Sequence, residues 1–363
     1  MSMHFTRRNR LRLVAALALP ALILGACSSG DGNGDGENAA AGDCTPAEQP
    51  VISFAAYSTP REVYGKIIPA FQSLWKEEHD DQSVIFQESY AGSTTQAGNV
   101  VGGYPADVVA LSLAPDVDQI VDAGLITHDW ADAPDAGMVS TSVVMFDVRP
   151  GNPLGIDDFD DLAQPDVEVL TPDPAQSGGA KWNLVGAWGA AMRGHAGVEE
   201  DDDAGATSLM QGLLANVITF DKSARDSIQN FESGNGDVAI TYENEVKTAN
   251  EAGLEDEGVY PPSTVLIENP VSVVDTNVDD HCVREVAEAF VDFLRTPEAK
   301  ELYASVGFLR STDLKEAQKG DDANGLPPIE DLWTVDEMGG WDALQDKLFS
   351  DTGVATTAIA GQG

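Results

Sequence analysis

A short apolar run, a turn of small polar residues and an amphipathic run follow one another repeatedly along this chain. Residues 51–57 have the length and composition of a buried strand, and Val63, Ile67 and Phe71 follow them at helical spacing. The same succession returns several times before the C-terminus. Such alternation is typical of an α/β fold. The chain after residue 47 is long enough for two lobes of ordinary domain size.

The junction with the clearest chemical signal is the segment 171–183, which contains Ser177, Gly178 and Gly179. It follows a strand-like run and precedes apolar residues at helical spacing, so we predict that these three residues lie at a helix N-terminus. The first N–H groups of a helix have no intrahelical partner, and glycine lets a ligand approach them closely. This arrangement is typical of an anion-binding site. The alternative is an ordinary loop in which Ser177 only caps the helix.

Three other strand-turn-helix junctions present hydroxyl groups and free amides. They contain Ser58, Ser93 and Ser223, and the last of these stands three residues before Asp226. That spacing is typical of a capping box, which marks the start of a helix. The sequence therefore predicts several helix N-termini with the same chemistry.

Two strand-like segments, residues 140–148 and 265–274, connect the two halves of the chain. Two crossings imply a hinge and a cleft, and ligands of open α/β sheets bind beyond the carboxyl ends of the strands. We predict that lobe I contains residues 48–140 and 265–363, and that lobe II contains residues 141–264.

Residues 1–26 contain four arginines, an apolar run and a small-residue segment that ends before Cys27. The pattern is typical of a secretory signal that leaves Cys27 as the lipidated first residue. A membrane-spanning helix is the alternative, but the apolar run at 13–24 is shorter than the roughly 20 residues that a bilayer requires. The composition of residues 27–47 predicts a flexible tether. We therefore expect an exported protein, lipid-anchored on the outer face of the cytoplasmic membrane and periplasmic if the cell has an outer membrane.

The chain has three cysteines. With Cys27 acylated, Cys44 and Cys282 remain as a pair in an oxidising compartment, which favours a disulfide. The alternative is two separate buried thiols.

The 61 acidic and 20 basic residues give a formal net charge of −41. A nucleic-acid partner is not predicted, because a phosphate backbone requires a basic surface. An anion site on this chain has to work through local neutral donors, and surface charges are screened over about 8 Å at physiological salt. The histidines are scattered without metal-binding spacing, so neither a metal site nor a cofactor is predicted.

Over roughly residues 51–353 the chain resembles the sulfate and thiosulfate binding proteins of bacterial ABC importers. The segments that carry the resemblance are 140–155, 172–183, 188–189, 236–245 and 339–342. It implies a two-lobed periplasmic-binding-protein-like fold of type II that acts as a monomer. It also implies two partners, an ABC permease and its ATPase.

The resemblance implies a dehydrated oxyanion held by helix N-terminal amides, a serine hydroxyl and an indole N–H. Carried onto this sequence, the ligand set is the amides of Ser58, Ser93, Gly178, Gly179 and Ala224, the hydroxyl of Ser177 and the side chain of Tyr242. Ser58 replaces a common aspartate, which an amide contact tolerates. Tyr242 stands where some members have the indole, which leaves the preference between sulfate and thiosulfate open.

The kind of hydrogen-bonding group in the site also affects which anion it selects. Sulfate only accepts hydrogen bonds, whereas hydrogen phosphate would leave its own proton unpaired at a cost of about 1–3 kcal/mol. A carboxylate turned into the site would reverse this preference. Glu62, Asp226 and Glu243 lie near the loops, and for each of them helix capping or packing across the lobe is the favoured interpretation.

Two alternatives stay open. An exported hydrolase has little support, because Ser73 and Lys76 form a Ser-x-x-Lys pattern inside a helix-like run without its companion motifs. No enzyme is predicted. The second alternative is a binder of another tetrahedral oxyanion, molybdate or phosphate, in the same architecture.

Overall fold

The computed structural model describes residues 44, 45, 47–308, 310–321, 323 and 325–361. The predicted signal peptide, most of the predicted tether and the predicted lipidation site Cys27 lie outside these residues. Within the described part of the chain, no helix combines the length and the hydrophobicity needed to cross a membrane.

Strands and helices alternate through most of the chain, and the predicted α/β class is confirmed. The strands are β1 (Val51–Tyr57), β2 (Ile85–Ala91), β3 (Val108–Ala110), β4 (Met138–Val148), β5 (Val169–Pro172), β6 (Val217–Asp221), β7 (Val238–Tyr242), β8 (Glu257–Val259), β9 (Ser263–Val273) and β10 (Asp331–Trp333). The helices are α1 (Arg61–Glu78), α2 (Ser93–Val101), α3 (Ala114–Asp122), α4 (Gly178–Met192), α5 (Asp203–Ala215), α6 (Ala224–Glu232), α7 (Glu243–Glu251), α8 (Asp275–Asp280), α9 (Arg284–Phe293), α10 (Pro297–Ser305), α11 (Leu314–Lys319), α12 (Gly340–Leu344) and α13 (Val354–Ala360). Short 3-10 turns lie at Trp130–Asp132, Pro134–Gly137, Asp161–Ala163 and Val335–Met338, and a π turn lies at Gln345–Phe349.

Hydrogen-bonded neighbours follow the order β2-β1-β3-β9-β4-β7-β5-β6, with β8 on β4 and β10 on β9. β1 pairs in parallel with β2 and β3, and β5 pairs in parallel with β6 and β7. The carboxyl ends of each parallel set therefore lie along one edge. Helices or turns that begin at these ends are the ones that meet a ligand in such folds.

The two long strands β4 and β9 connect the two halves of the sheet. Residues 138–143 of β4 pair antiparallel with β9, whereas residues 144–148 pair with β7. Residues 271–273 of β9 pair with β3. These strands are the two crossings that the sequence predicts.

The C-terminal elements differ from the prediction, which placed residues 265–363 entirely in lobe I. Trp333 packs so closely on Gly189 of α4 that a Cβ there would collide with the indole ring. Trp341 makes an edge contact with Trp182 at 4.7 Å between ring centroids, and α13 packs on α5. Because these large aromatic side chains match the small-residue surface of α4, we propose that residues 331–360 belong to lobe II.

Helix α4 is buried along nearly its whole length. Asn183 ties it to the sheet, since its Nδ2 donates to Thr171 Oγ1 at 3.0 Å and to the Ile240 carbonyl at 2.8 Å. A helix that is enclosed on all sides gives its N-terminus a fixed position.

A disulfide joins Cys44 to Cys282, with 5.3 Å between their Cα atoms and a sequence separation of 238. Cys44 precedes β1 and Cys282 follows α8, so the bond ties the start of the described chain to lobe I.

Replacing Cys44 and Cys282 by serine is expected to lower the free energy of unfolding by about 2–5 kcal/mol, because the bond closes a long loop and restricts the unfolded chain. Urea unfolding of the reduced and oxidised wild-type protein and of the double variant measures this loss. Anion affinity should stay at its wild-type value, since both residues lie away from the cleft.

Candidate functional site

The N-terminus of α4 is the centre of the candidate site. Ser177 caps the helix and its Oγ accepts a hydrogen bond from the Ala180 N–H at 3.4 Å. Because this bond uses an acceptor position of Oγ, the hydroxyl proton of Ser177 is available to a ligand. The N–H groups of Gly178 and Gly179 belong to the first turn, where a helix leaves its donors without intrahelical partners.

The other predicted helix N-termini converge on the same place. A Cβ added to Gly179 would lie 3.2 Å from the Cβ of Ala224, the first residue of α6. Gly92, which precedes α2, lies against the carbonyl oxygens of Gln176 and Lys222 and has no space for a side chain. The starts of α2, α4 and α6 are therefore brought together across the cleft between the lobes.

Ser58 lies just beyond β1, is buried, and lines a cavity of about 340 Å³ together with residues of both lobes. Gly92 and Thr95 line it from lobe I, and Ser223 and Asp226 line it from lobe II. The structure thus places every predicted ligand residue at or beside the cleft. Tyr242 also lies there, at the end of β7 and one residue before α7.

Ser112 is a cleft residue that the sequence reasoning missed. Its N–H donates to Ser93 Oγ at 2.8 Å, and its carbonyl accepts from Trp182 Nε1 at 2.8 Å and from Asn269 Nδ2 at 2.9 Å. Its hydroxyl forms a 2.8 Å hydrogen bond with the Tyr242 hydroxyl. The signal that could have revealed Ser112 is its position just beyond the carboxyl end of β3, beside the ends of β1 and β2.

The three carboxylates considered from the sequence are all engaged elsewhere. Glu62 pairs with Arg225 at 2.5 Å, and Asp226 accepts from Ser223 Oγ at 2.8 Å. Glu243 is buried and pairs with Arg310. The favoured interpretation, capping or packing, therefore describes all three. Glu62 and Asp226 line the cavity, but each carboxylate is bonded to a neighbouring side chain of the protein.

Asp116 is a buried carboxylate close to the site that the sequence reasoning did not single out. It accepts from Ser93 Oγ at 2.5 Å and from Thr94 Oγ1 at 3.0 Å, both at the start of α2. Burial raises the pKa of Asp116, and the positive charge of Lys181 from α4 opposes that shift. The carboxylate thus holds the N-terminus of α2 in place, and the charge of Lys181 faces it across the cleft.

Arg225 connects the lobes at the edge of the cleft. Besides Glu62, it contacts the Thr59 carbonyl at 3.3 Å and the buried Glu245 at 2.9 Å. Burial raises the pKa of Glu245 to about 7, and Arg225 acts in the opposite direction. The cation has acidic partners on both sides, so its role in the structure is to join the lobes.

Comparison with known proteins gives the family. The model for bacterial extracellular solute-binding proteins matches residues 52–309. The sulfate-binding protein of Synechococcus elongatus is 38% identical over 366 residues, which cover 100% of both chains. The sulfate-binding protein of Salmonella typhimurium is 41% identical over 82% of this chain and 89% of its own. The thiosulfate-binding protein of Pseudomonas aeruginosa is 33% identical over 87% and 93%.

A solved structure agrees with these relatives. The sulfate-binding protein SubI from Mycobacterium tuberculosis H37Rv superimposes with a TM-score of 0.73 and is 36% identical, covering 83% of this chain and 100% of its own. The family match and these relatives, which are binding proteins, define a solute-binding protein rather than an enzyme. This chain belongs to the bacterial extracellular solute-binding protein family, among the sulfate-binding and thiosulfate-binding proteins.

Proposed function

We propose that this protein binds sulfate or thiosulfate in the cleft between its lobes and delivers the anion to an ABC permease driven by an ATPase. The observation that carries the proposal is the convergence of the N-termini of α2, α4 and α6 on one place, with the Ser177 hydroxyl beside them. Free amides at helix N-termini bind anions. The names of the relatives point to the same ligands.

The proposed ligand contacts are neutral donors. They are the amides of Ser58, Ser93, Gly178, Gly179 and Ala224 and the hydroxyl of Ser177. A fully deprotonated oxyanion satisfies such a site, whereas hydrogen phosphate requires an acceptor for its proton. The carboxylates near the cleft are engaged by other partners, which supports a preference for sulfate or thiosulfate over phosphate.

The cellular setting of the proposal rests on the sequence. We infer that Cys27 carries a lipid, that the following residues tether the protein to the outer face of the cytoplasmic membrane, and that it acts there as a monomer. Capture of the anion would close the lobes and present the closed form to the permease.

Changing Ser177 to alanine is expected to weaken sulfate binding by about 1.5–3 kcal/mol, the range for a hydrogen bond to a charged group. The helix cap is lost as well, which costs about 1 kcal/mol of stability. Calorimetric titration gives the first quantity and urea unfolding without anion gives the second. A variant that is destabilised but binds sulfate at wild-type affinity would show that Ser177 acts only as a cap.

The proposal is tested by calorimetric titration of the chain from Cys44 onward with sulfate, thiosulfate, molybdate and phosphate at neutral pH and fixed salt. We expect tight one-to-one binding of sulfate or thiosulfate and at most weak binding of phosphate. Preference for molybdate or phosphate would overturn the specificity while keeping the anion site. No binding of any of the four anions would overturn the proposal altogether.

A further inference from the structure

The Ser112 side chain has a fixed place in the cleft. The residue is buried just beyond β3, and Ser93, Trp182 and Asn269 bond its backbone N–H and carbonyl. Trp182 belongs to lobe II, whereas Ser93 lies in lobe I, so the position of Ser112 is set from both sides. The hydroxyl hydrogen can still change direction by rotation about the Cβ–Oγ bond.

Ser112 and Tyr242 form a pair of buried hydroxyls, 2.8 Å apart. Two hydroxyls carry two protons, and the bond between them uses one. A phenol, with a pKa near 10, is a far stronger acid than an aliphatic alcohol and is therefore the better donor. The geometry allows either direction, and acid strength favours donation from Tyr242 to Ser112 Oγ. Among the described residues, Ser112 Oγ has no second hydrogen-bond partner, so its own proton is left to be donated.

The spare proton lies next to the amides of α4. A Cβ added to Gly178 would lie 2.8 Å from Ser112 Cβ and 3.0 Å from Ser112 Oγ. A Cβ added to Gly179 would lie 3.8 Å from the Tyr242 ring. An anion held by the N–H groups of these glycines is an acceptor within reach of Ser112.

We propose that Ser112 is an additional ligand-binding residue whose hydroxyl donates to the bound anion, and that Tyr242 is a positioning residue that acts through Ser112. This inference rests on the proposed anion-binding function. It changes the role expected for Tyr242 from the sequence, which was a direct contact in place of an indole. Burial raises the pKa of Tyr242, so the phenol stays protonated and keeps its proton for Ser112.

A double-mutant cycle with sulfate as the probe tests the proposal. Ser112→Ala is expected to weaken sulfate binding by about tenfold or more, as for a lost hydrogen bond to an anion. Tyr242→Phe is expected to weaken it by about threefold to tenfold in the wild-type background and to have no further effect when Ser112 is already alanine. A merely structural role of Tyr242 would give the same loss in both backgrounds.

Tyr303→Phe provides the matched control, because it removes a buried hydroxyl that donates to Tyr64 at 3.0 Å away from the cleft. Its sulfate affinity should equal that of the wild type. Additive losses, or a larger loss from Tyr242→Phe than from Ser112→Ala, would assign the anion contact to Tyr242 and overturn the inference. If the wild-type protein does not bind sulfate at all, the proposed function fails instead.

Discussion

Replacing Gly178 by valine is expected to weaken sulfate binding by at least about a hundredfold, which corresponds to roughly 3 kcal/mol or the loss of one or two hydrogen bonds to the anion. A Cβ at this position would lie 2.6 Å from Leu113 Cδ2 and 2.8 Å from Ser112 Cβ. Real Cβ atoms do not approach other heavy atoms so closely, and both neighbours stand on the opposite lobe. The lobes have to separate to relieve the collision, and the amides at the start of α4 then lose the groups that face them.

We expect the variant to fold, because the collision lies at the contact between the lobes and is relieved when they move apart. Gly98→Val is the matched control: Gly98 also lies in a helix, α2, and a Cβ there meets nothing within 4 Å. Calorimetric titration gives the affinities, and thermal unfolding without anion verifies that both variants are folded. Wild-type sulfate affinity in folded Gly178→Val would place the anion site elsewhere.

Local chemistry was sufficient to predict the helix N-termini that follow Ser177 and Ser223. Ser223 caps α6 as its spacing predicted, since its Oγ accepts from the Asp226 N–H. Ser177 caps α4 by accepting from the Ala180 N–H, a role that the sequence offered as the alternative to an anion site. A cap is a contact between near neighbours in sequence, so turn residues before a periodic apolar run reveal it. The alternation of strands and helices then predicts that these helix N-termini lie at one edge of the sheet.

Contacts between distant segments could not be predicted in the same way. β3 ends at Ala110, and Ser112, two residues further on, meets Tyr242 from a distant part of the chain. The packing of Trp333 on Gly189 likewise depends on the shapes of two surfaces that are far apart in sequence. Periodicity shows which face of an element is buried but not which partner covers it.

Replacing Arg310 by methionine is expected to lower the free energy of unfolding by about 3–5 kcal/mol, the largest effect on stability that we predict. Arg310 and Glu243 are both buried, and three of the arginine-to-carboxylate distances are 2.6, 2.9 and 3.0 Å. Removing the cation leaves the carboxylate unpaired inside the protein. Urea unfolding of the variant and of the wild type at neutral pH measures the loss.

The double variant Glu243→Met with Arg310→Met separates the cost of the unpaired charge from the cost of the other hydrogen bonds that Arg310 makes. Arg310 also donates to the carbonyls of Ala317 and Pro327 at 2.8 and 3.0 Å, and these bonds are absent in both variants. If the buried charge dominates, the double variant regains part of the lost stability, because an apolar pair carries no desolvation cost. A double variant less stable than Arg310→Met would contradict this.

Since Glu243 follows Tyr242 directly, the ion pair also anchors the start of α7, and weaker sulfate binding is expected to accompany the loss of Arg310.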